Sequence, residues 1–232
     1  MAGQYIPIST PDGTFSAYRA LPASGKGPGV LVLQEIFGVN AGMRKICNGL
    51  AEAGFVALCP DLFWRIEPGI ELDDGVEADL ERAFQLFSAF DVETGMQDIA
   101  VAIAHLRADD ACTGRVGAMG YCLGGLLAFL TACRTDSDAT VGYYGVGIED
   151  RLKEADGLDR PLLLHIAGKD QFVPPAAQAK IHSSFDGHPM IRLEDYPEAD
   201  HAFARPDGSH YSRASAEKAN GLSLQFLREA LA

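Results

Sequence analysis

The chain has 232 residues, 47% of them apolar and 22% charged, a size and balance that suit one large domain, or at most two small ones, and exclude disorder, collagen-like repeats and a mini-protein needing staples. Nineteen Lys and Arg against 32 Asp and Glu leave a formal charge of −13, which repels phosphate backbones and anionic membranes and argues against both as partners. Mean hydropathy is +0.02, no apolar run approaches the roughly 18–20 residues of a membrane-spanning helix, and the start Met1-Ala2-Gly3-Gln4-Tyr5 carries no targeting pattern; the chain reads as soluble and cytoplasmic.

In chain order, Tyr5 to Ser9, a Pro11-Asp12-Gly13 turn and Thr14 to Ala20 predict an antiparallel hairpin. A Pro- and Gly-containing stretch, Leu21 to Pro28, leads into Val30-Leu31-Val32-Leu33, a continuous apolar run expected of a strand buried on both faces. A helix from Ala41 follows, with Met43, Ile46, Leu50 and Ala53 on one stripe and Gly54 ending it. Phe55 to Cys59 is the next strand, stopped by Pro60. Between Asp61 and Arg107 a surface loop and two helices are expected, one with the stripe Val76, Leu80, Ala83, Phe87 and Phe90, the other with Val92, Met96, Ile99, Ile103 and Leu106.

The alternation then resumes. Strands are expected at Arg115 to Gly120, Thr140 to Tyr144, Pro161 to Ala167 and Met190 to Tyr196. Helices are expected from Leu123 to about Cys133, near Ala176 to Phe185, and at the end, with Ala219, Leu222, Phe226 and Ala230 on the last stripe. Continuous apolar strands separated by amphipathic helices imply a mostly parallel twisted sheet with an antiparallel N-terminal edge and helices on both faces, in a single domain spanning residues 1–232.

Chemistry concentrates at Gly120-Tyr121-Cys122-Leu123-Gly124, a G-x-C-x-G between a strand and a helix. This is the pattern of a nucleophile elbow with cysteine in the usual place of serine. Glycines suit it because a Cβ at Gly120 or Gly124 would collide with nearby backbone, and the helix N-terminus favours negative charge on the sulfur. The alternative is a Gly-rich turn with cysteine as a small apolar filler. A thiolate nucleophile needs a base, and the base an orienting carboxylate. Downstream, Asp170 follows the strand ending at Ala167 and His201 follows the strand ending at Tyr196. The order nucleophile, acid, histidine and the strand-end placement both fit an α/β-hydrolase. His165, inside its strand, reads as a satisfied core histidine, and no partner suggests itself for His105, His182, His188 or His210. The five cysteines are odd in number and lack CxxC spacing, so neither a disulfide framework nor a metal site is expected; Cys47, Cys59, Cys112 and Cys133 read as fillers or exposed thiols.

These residues resemble the dienelactone hydrolase family, of α/β-hydrolase fold, over nearly the whole chain. The likeness is carried by Gln34-Glu35-Ile36-Phe37-Gly38-Val39-Asn40, Cys59-Pro60-Asp61-Leu62, Gly120 to Gly125, Gly142 to Gly147, Gly168-Lys169-Asp170 and His201-Ala202-Phe203-Ala204-Arg205. The resemblance implies a Cys122, His201, Asp170 triad with an oxyanion hole from the Leu123 and Ile36 amides. It also implies that Glu35 approaches the resting thiol and accepts its proton when substrate binds. Family enzymes acting on dienelactone hold its carboxylate with two arginines and a tyrosine. Arg205 matches one arginine, whereas Leu80 and Phe84 stand at the other two places, and Arg82 lies toward the opposite helix face. By the same analogy Phe87, Tyr144, Phe172 and Phe203 either line the pocket or belong to the core. The expectation is a monomeric hydrolase opening small lactones or esters through a thioester, without metal or organic cofactor. The alternative is a broad carboxylesterase or thioesterase with a more apolar acyl pocket.

Overall fold

A computed structural model describes residues 3–232, so Met1 and Ala2, cited above for the absence of a targeting pattern, lie outside the described residues. Eight strands form a sheet in the order β1-β2-β4-β3-β5-β6-β7-β8. The chain divides into two compact units, Met1–Gly117 and Ala118–Ala232, with the boundary inside β5 (Cys112–Tyr121).

In the first unit, β1 (Gln4–Thr10) and β2 (Gly13–Ala20) form the expected hairpin, and β2 runs antiparallel to β4 (Val56–Pro60), which is parallel to β3 (Gly27–Leu33). The antiparallel N-terminal edge is therefore present. β3 begins three residues before the apolar run because its glycines fit a crowded position. A Cβ at Gly27 would lie 2.1 Å from the Gly54 carbonyl oxygen, and one at Gly29 2.8 Å from the Leu106 side chain. Helix α1 (Ala41–Glu52) is capped by Asn40, whose side chain accepts from the Met43 amide, and Gly54 follows at φ 103.

Helix α2 (Glu77–Ala89) departs from its expected stripe. Its buried residues are Ala83 and Leu86, while Val76 and Phe87 are exposed. Apolar residues occur around much of this helix, so periodicity alone could not choose the face that packs; Phe90, just beyond it, sets its ring edge-on to Phe63. Helix α3 (Val92–Arg107) buries Met96, Ile99, Ile103 and Leu106 as expected, and also Asp98. That carboxylate accepts from Arg65 Nε and Nη2, both at 2.9 Å, and from Trp64 Nε1 at 2.8 Å. Three donors offset its desolvation and clamp the loop after β4 onto α3.

In the second unit β5, β6 (Thr140–Tyr143), β7 (Leu162–Ala167) and β8 (Ile191–Tyr196) pair in parallel. Helix α4 (Leu123–Arg134) packs on β6, α5 (Pro175–Phe185) on β8 and α6 (Arg213–Ala230) on β7. Ten consecutive residues of α4, Leu123 to Ala132, are buried. Each of its large apolar side chains contributes about 1.5–3 kcal/mol by leaving water, which makes α4 a fixed support for whatever its N-terminus carries. The last helix buries Ala216, Ala219, Ser223 and Leu227, a line one position away from Leu222 and Phe226, which are only half-buried. The turn is set by Ser223, whose hydroxyl meets buried polar partners that a hydrophobic period does not register. Among the described residues no helix is long and apolar enough to cross a membrane.

Candidate active site

Tyr121 ends β5 and Leu123 opens α4, which leaves Cys122 alone to make the turn at φ 56, ψ −115. A residue with a Cβ occupies that region only when its surroundings enforce it. Here the Cys122 amide donates to the Tyr143 carbonyl at 3.1 Å, and the Cys122 carbonyl accepts from the Gly125 and Leu126 amides at 2.9 and 3.2 Å. Close approach to the end of β6 shows most clearly at Gly125, where a Cβ would stand 2.4 Å from the Tyr143 carbonyl oxygen and 2.7 Å from the Gly145 Cα. The Leu123 amide belongs to the first turn of α4, whose N–H groups have no acceptor in their own helix, as an oxyanion donor requires.

Asp170 and His201 come from the loops after β7 and β8. A Cβ at Gly168 would lie 2.6 Å from Pro197, the Lys169 amide donates to the Ala199 carbonyl at 2.9 Å, and Lys169 Nζ pairs with Glu198 at 2.6 Å. These contacts bring the two loops together. His201 Nδ1 and Asp170 Oδ2 are 2.7 Å apart, both residues buried. The other carboxylate oxygen, Oδ1, accepts from the Phe172 and Val173 amides at 2.8 and 3.2 Å, which fixes the acid. The ring is gripped edge-on by Tyr144 at 5.1 Å and Phe172 at 4.8 Å.

Burial works against charge on His201. The Asp170 carboxylate and the Cys122 sulfur outweigh it and push the imidazole pKa up to about 10. Nε2 nevertheless completes no hydrogen bond. The sulfur thus favours a proton on the ring without completing a hydrogen bond to Nε2.

The remaining expected residues fall as follows. Tyr144 is buried at φ 38, its amide donating to the His165 carbonyl at 2.9 Å. Phe203 has no exposed surface and packs among Tyr143, Tyr144 and Tyr196, so of its two expected settings it takes the core. Phe172 is 40% exposed and keeps a face for other contacts. Arg205 is half-buried in the turn after His201, where its amide donates to the Ala202 carbonyl. His165 is a core histidine as expected, whereas His182 has two partners that went unanticipated, Asp186 and Asp195, each at 3.0 Å.

In the first unit, Glu35 and Ile36 are buried in the loop after β3. The Gln34 side-chain oxygen accepts the Leu62 amide at 3.0 Å, and a Cβ at Gly38 would lie 2.0 Å from the Ile70 carbonyl oxygen, so this loop is held on both sides. Phe87 and Phe84 are exposed on α2. Arg82 is ion-paired with Glu67 and hydrogen-bonded to Gln85, and is therefore already engaged. Among the described residues no cluster of His, Cys, Asp and Glu is suited to a metal ion.

The sequence matches the dienelactone hydrolase family over residues 15–231. It is 42% identical to the carboxymethylenebutenolidase of Pseudomonas putida, covering 98% of this chain and 97% of that one. It is 41% identical to that of Pseudomonas sp. strain P51, covering 93% and 90%. Its fold superposes on the dienelactone hydrolase-like promiscuous phosphotriesterase P91 from metagenomic libraries with a TM-score of 0.79 at 19% identity, covering 99% and 98%. With a match of this extent and an eight-stranded α/β architecture that agrees with it, the chain belongs to the dienelactone hydrolase family.

Proposed function

We propose that this protein, acting as a monomer on a small molecule, opens lactones and esters through a thioester on Cys122. His201 holds the proton of the thiol, and the sulfur attacks the carbonyl carbon. The oxyanion is received by the Leu123 amide and, on the family resemblance of residues 34–40, by that of Ile36. Collapse breaks the carbon–oxygen bond, and the departing alcohol or enolate takes the proton from His201. Water, deprotonated by His201, then attacks the thioester, expelling the sulfur and releasing the acid. Asp170 keeps the ring oriented throughout and favours its charged form. Glu35 is assigned, on the same resemblance, the role of first acceptor of the thiol proton, which reaches His201 before the leaving group departs, and Arg205 that of binding a substrate carboxylate.

The observation that supports this most is the 2.7 Å contact between His201 and Asp170 beside a cysteine held in a left-handed turn at a helix N-terminus. The relatives named carboxymethylenebutenolidase favour an unsaturated lactone as substrate. A second reading, a broader carboxylesterase with an apolar acyl site, is favoured by Leu80 and Phe84 in place of the arginine and tyrosine and by the engagement of Arg82 with Glu67. Turnover of a p-nitrophenyl ester and of a carboxylate-bearing unsaturated γ-lactone tests both. Cys122→Ala is expected to lose roughly a thousandfold or more on each substrate; undiminished ester turnover would reject the nucleophile. Arg205→Ala is expected to raise KM for the lactone about tenfold and leave the neutral ester alone; indifference of the lactone would favour the broader esterase.

A further inference from the structure

Tyr143 holds the elbow twice. Its carbonyl accepts the Cys122 amide, and its ring stacks at 4.5 Å and 26° on Tyr121, the residue before Cys122. What fixes Tyr143 therefore bears on the nucleophile. Its hydroxyl is buried at the start of a polar chain that the proposed chemistry does not use. That hydroxyl lies 3.0 Å from Asn220 Oδ1 and 2.7 Å from Ser223 Oγ, both on α6. Ser223 Oγ lies 2.8 Å from His165 Nε2, and His165 Nδ1 lies 3.0 Å from the Tyr196 hydroxyl. Tyr143, His165 and Ser223 are wholly buried, and Tyr196 nearly so.

Counting hydrogens fixes the direction of each bond. Tyr143 has one hydroxyl hydrogen and gives it to the Asn220 carbonyl oxygen. The Ser223 hydrogen must then go to Tyr143, which leaves Ser223 to accept on its other side. His165 Nε2 carries the hydrogen that Ser223 accepts. A neutral ring has only one such hydrogen, so Nδ1 is bare and accepts from Tyr196. The ring is neutral because burial, with Arg192 and Lys218 adding to it, lowers its pKa to about 3.

We infer that Tyr196, His165, Ser223 and Tyr143 form a one-way chain of hydrogen bonds with His165 in the Nε2–H tautomer, and that Ser223 and His165 are positioning residues acting on the nucleophile elbow through Tyr143. The second half rests on the proposed role of Cys122; the first does not. In a chain of this kind each bond polarises the next, and a fully satisfied buried network defines one arrangement sharply. Removing a single hydroxyl leaves Tyr143 free to tilt, and the strained turn it supports tilts with it.

Two measurements test this. In protein labelled with 15N-histidine, the His165 spectrum at neutral pH is expected to show hydrogen on Nε2 and a bare Nδ1; hydrogen on Nδ1 would overturn the chain. Ser223→Ala and Tyr143→Phe, both of which keep the ring stacked on Tyr121, are expected to lower kcat on p-nitrophenyl acetate by roughly tenfold to a hundredfold with KM nearly unchanged. The double variant is expected to be no worse than the worse single one, as for residues in one chain. Wild-type kcat in either folded variant, or fully multiplicative losses in the double, would reject the positioning role. Should Ser223→Ala not fold, Tyr143→Phe carries the kinetic test. Inactivity of the wild type itself would instead reject the proposed function and leave the tautomer result standing.

Discussion

Two buried histidines of the second unit, about equally shut off from water, carry opposite charge preferences. His165, in the middle of β7, is surrounded by hydroxyls and held neutral; His201, in the loop after β8, faces a carboxylate and a sulfur and is held charged. Burial opposes charge in both. The partner decides, since hydroxyls satisfy a neutral ring whereas Asp170 stabilises an imidazolium. His165 sits where strands surround it on either side, so its partners are structural; His201 sits at a strand end, where a substrate can approach.

The strongest test of this contrast is Asp170→Asn, expected to lower kcat roughly a thousandfold or more by removing the group that orients and charges His201. The pH profile of the residual activity sharpens it. In the wild type the His201 proton is lost as pH rises through about 10, so activity declines there. Without the carboxylate the proton is held less tightly, and the alkaline limb moves to lower pH. A limb that stays in place would mean that Asp170 is not what raises the ring.

Next in size is His165→Phe, expected to leave the Tyr196 and Ser223 hydroxyls buried without their partner and to cost about 2–4 kcal/mol in urea unfolding. His201→Phe leaves the buried Asp170 oxygen without its partner and is expected to cost stability as well, but it is expected to abolish turnover, whereas His165→Phe is expected to retain part of it. Equal losses of turnover in the two variants would break the contrast.

The smallest effect belongs to His182, which has two carboxylate partners like a doubled Asp170 but lies near the surface. Its pKa is raised, since the pull of Asp186 and Asp195 exceeds the burial that opposes it. A group raised in the folded state stabilises fully below its unfolded value near 6.5 and stops doing so as pH rises through its folded value. Asp195→Asn is therefore expected to cost well under about 1 kcal/mol at pH 5.5 and nothing measurable at pH 9, read from urea midpoints at the two pH values. A large loss at either pH would show that solvent screening is weaker than the exposure implies.

The alternation of strand and helix was legible in the sequence because apolar runs and three- and four-residue spacings set it, as was the strand-end placement of Cys122, Asp170 and His201. The faces of α2 and α6 were not. Ser223 is buried by an imidazole partner on β7, His165, 58 residues earlier in the chain, and nothing in its own neighbourhood announces that. Asp98 is likewise buried by long-range partners, Arg65 and Trp64, which its own neighbourhood does not announce. Hydrophobic period locates an element and its approximate apolar side; where a polar group is buried by long-range pairing, only the folded chain says so. The same limit applied to the aromatics near His201, where Phe203 is buried in the core and Phe172 keeps an exposed face.

The left-handed turn at Cys122 has a consequence for how this protein could change under selection. Glycine adopts that geometry without penalty, and every other residue is held there against its own preference. A lineage selected only for durability would therefore drift toward an inert, relaxed hinge at this position, and the sulfur would persist only under selection for the nucleophile proposed for it.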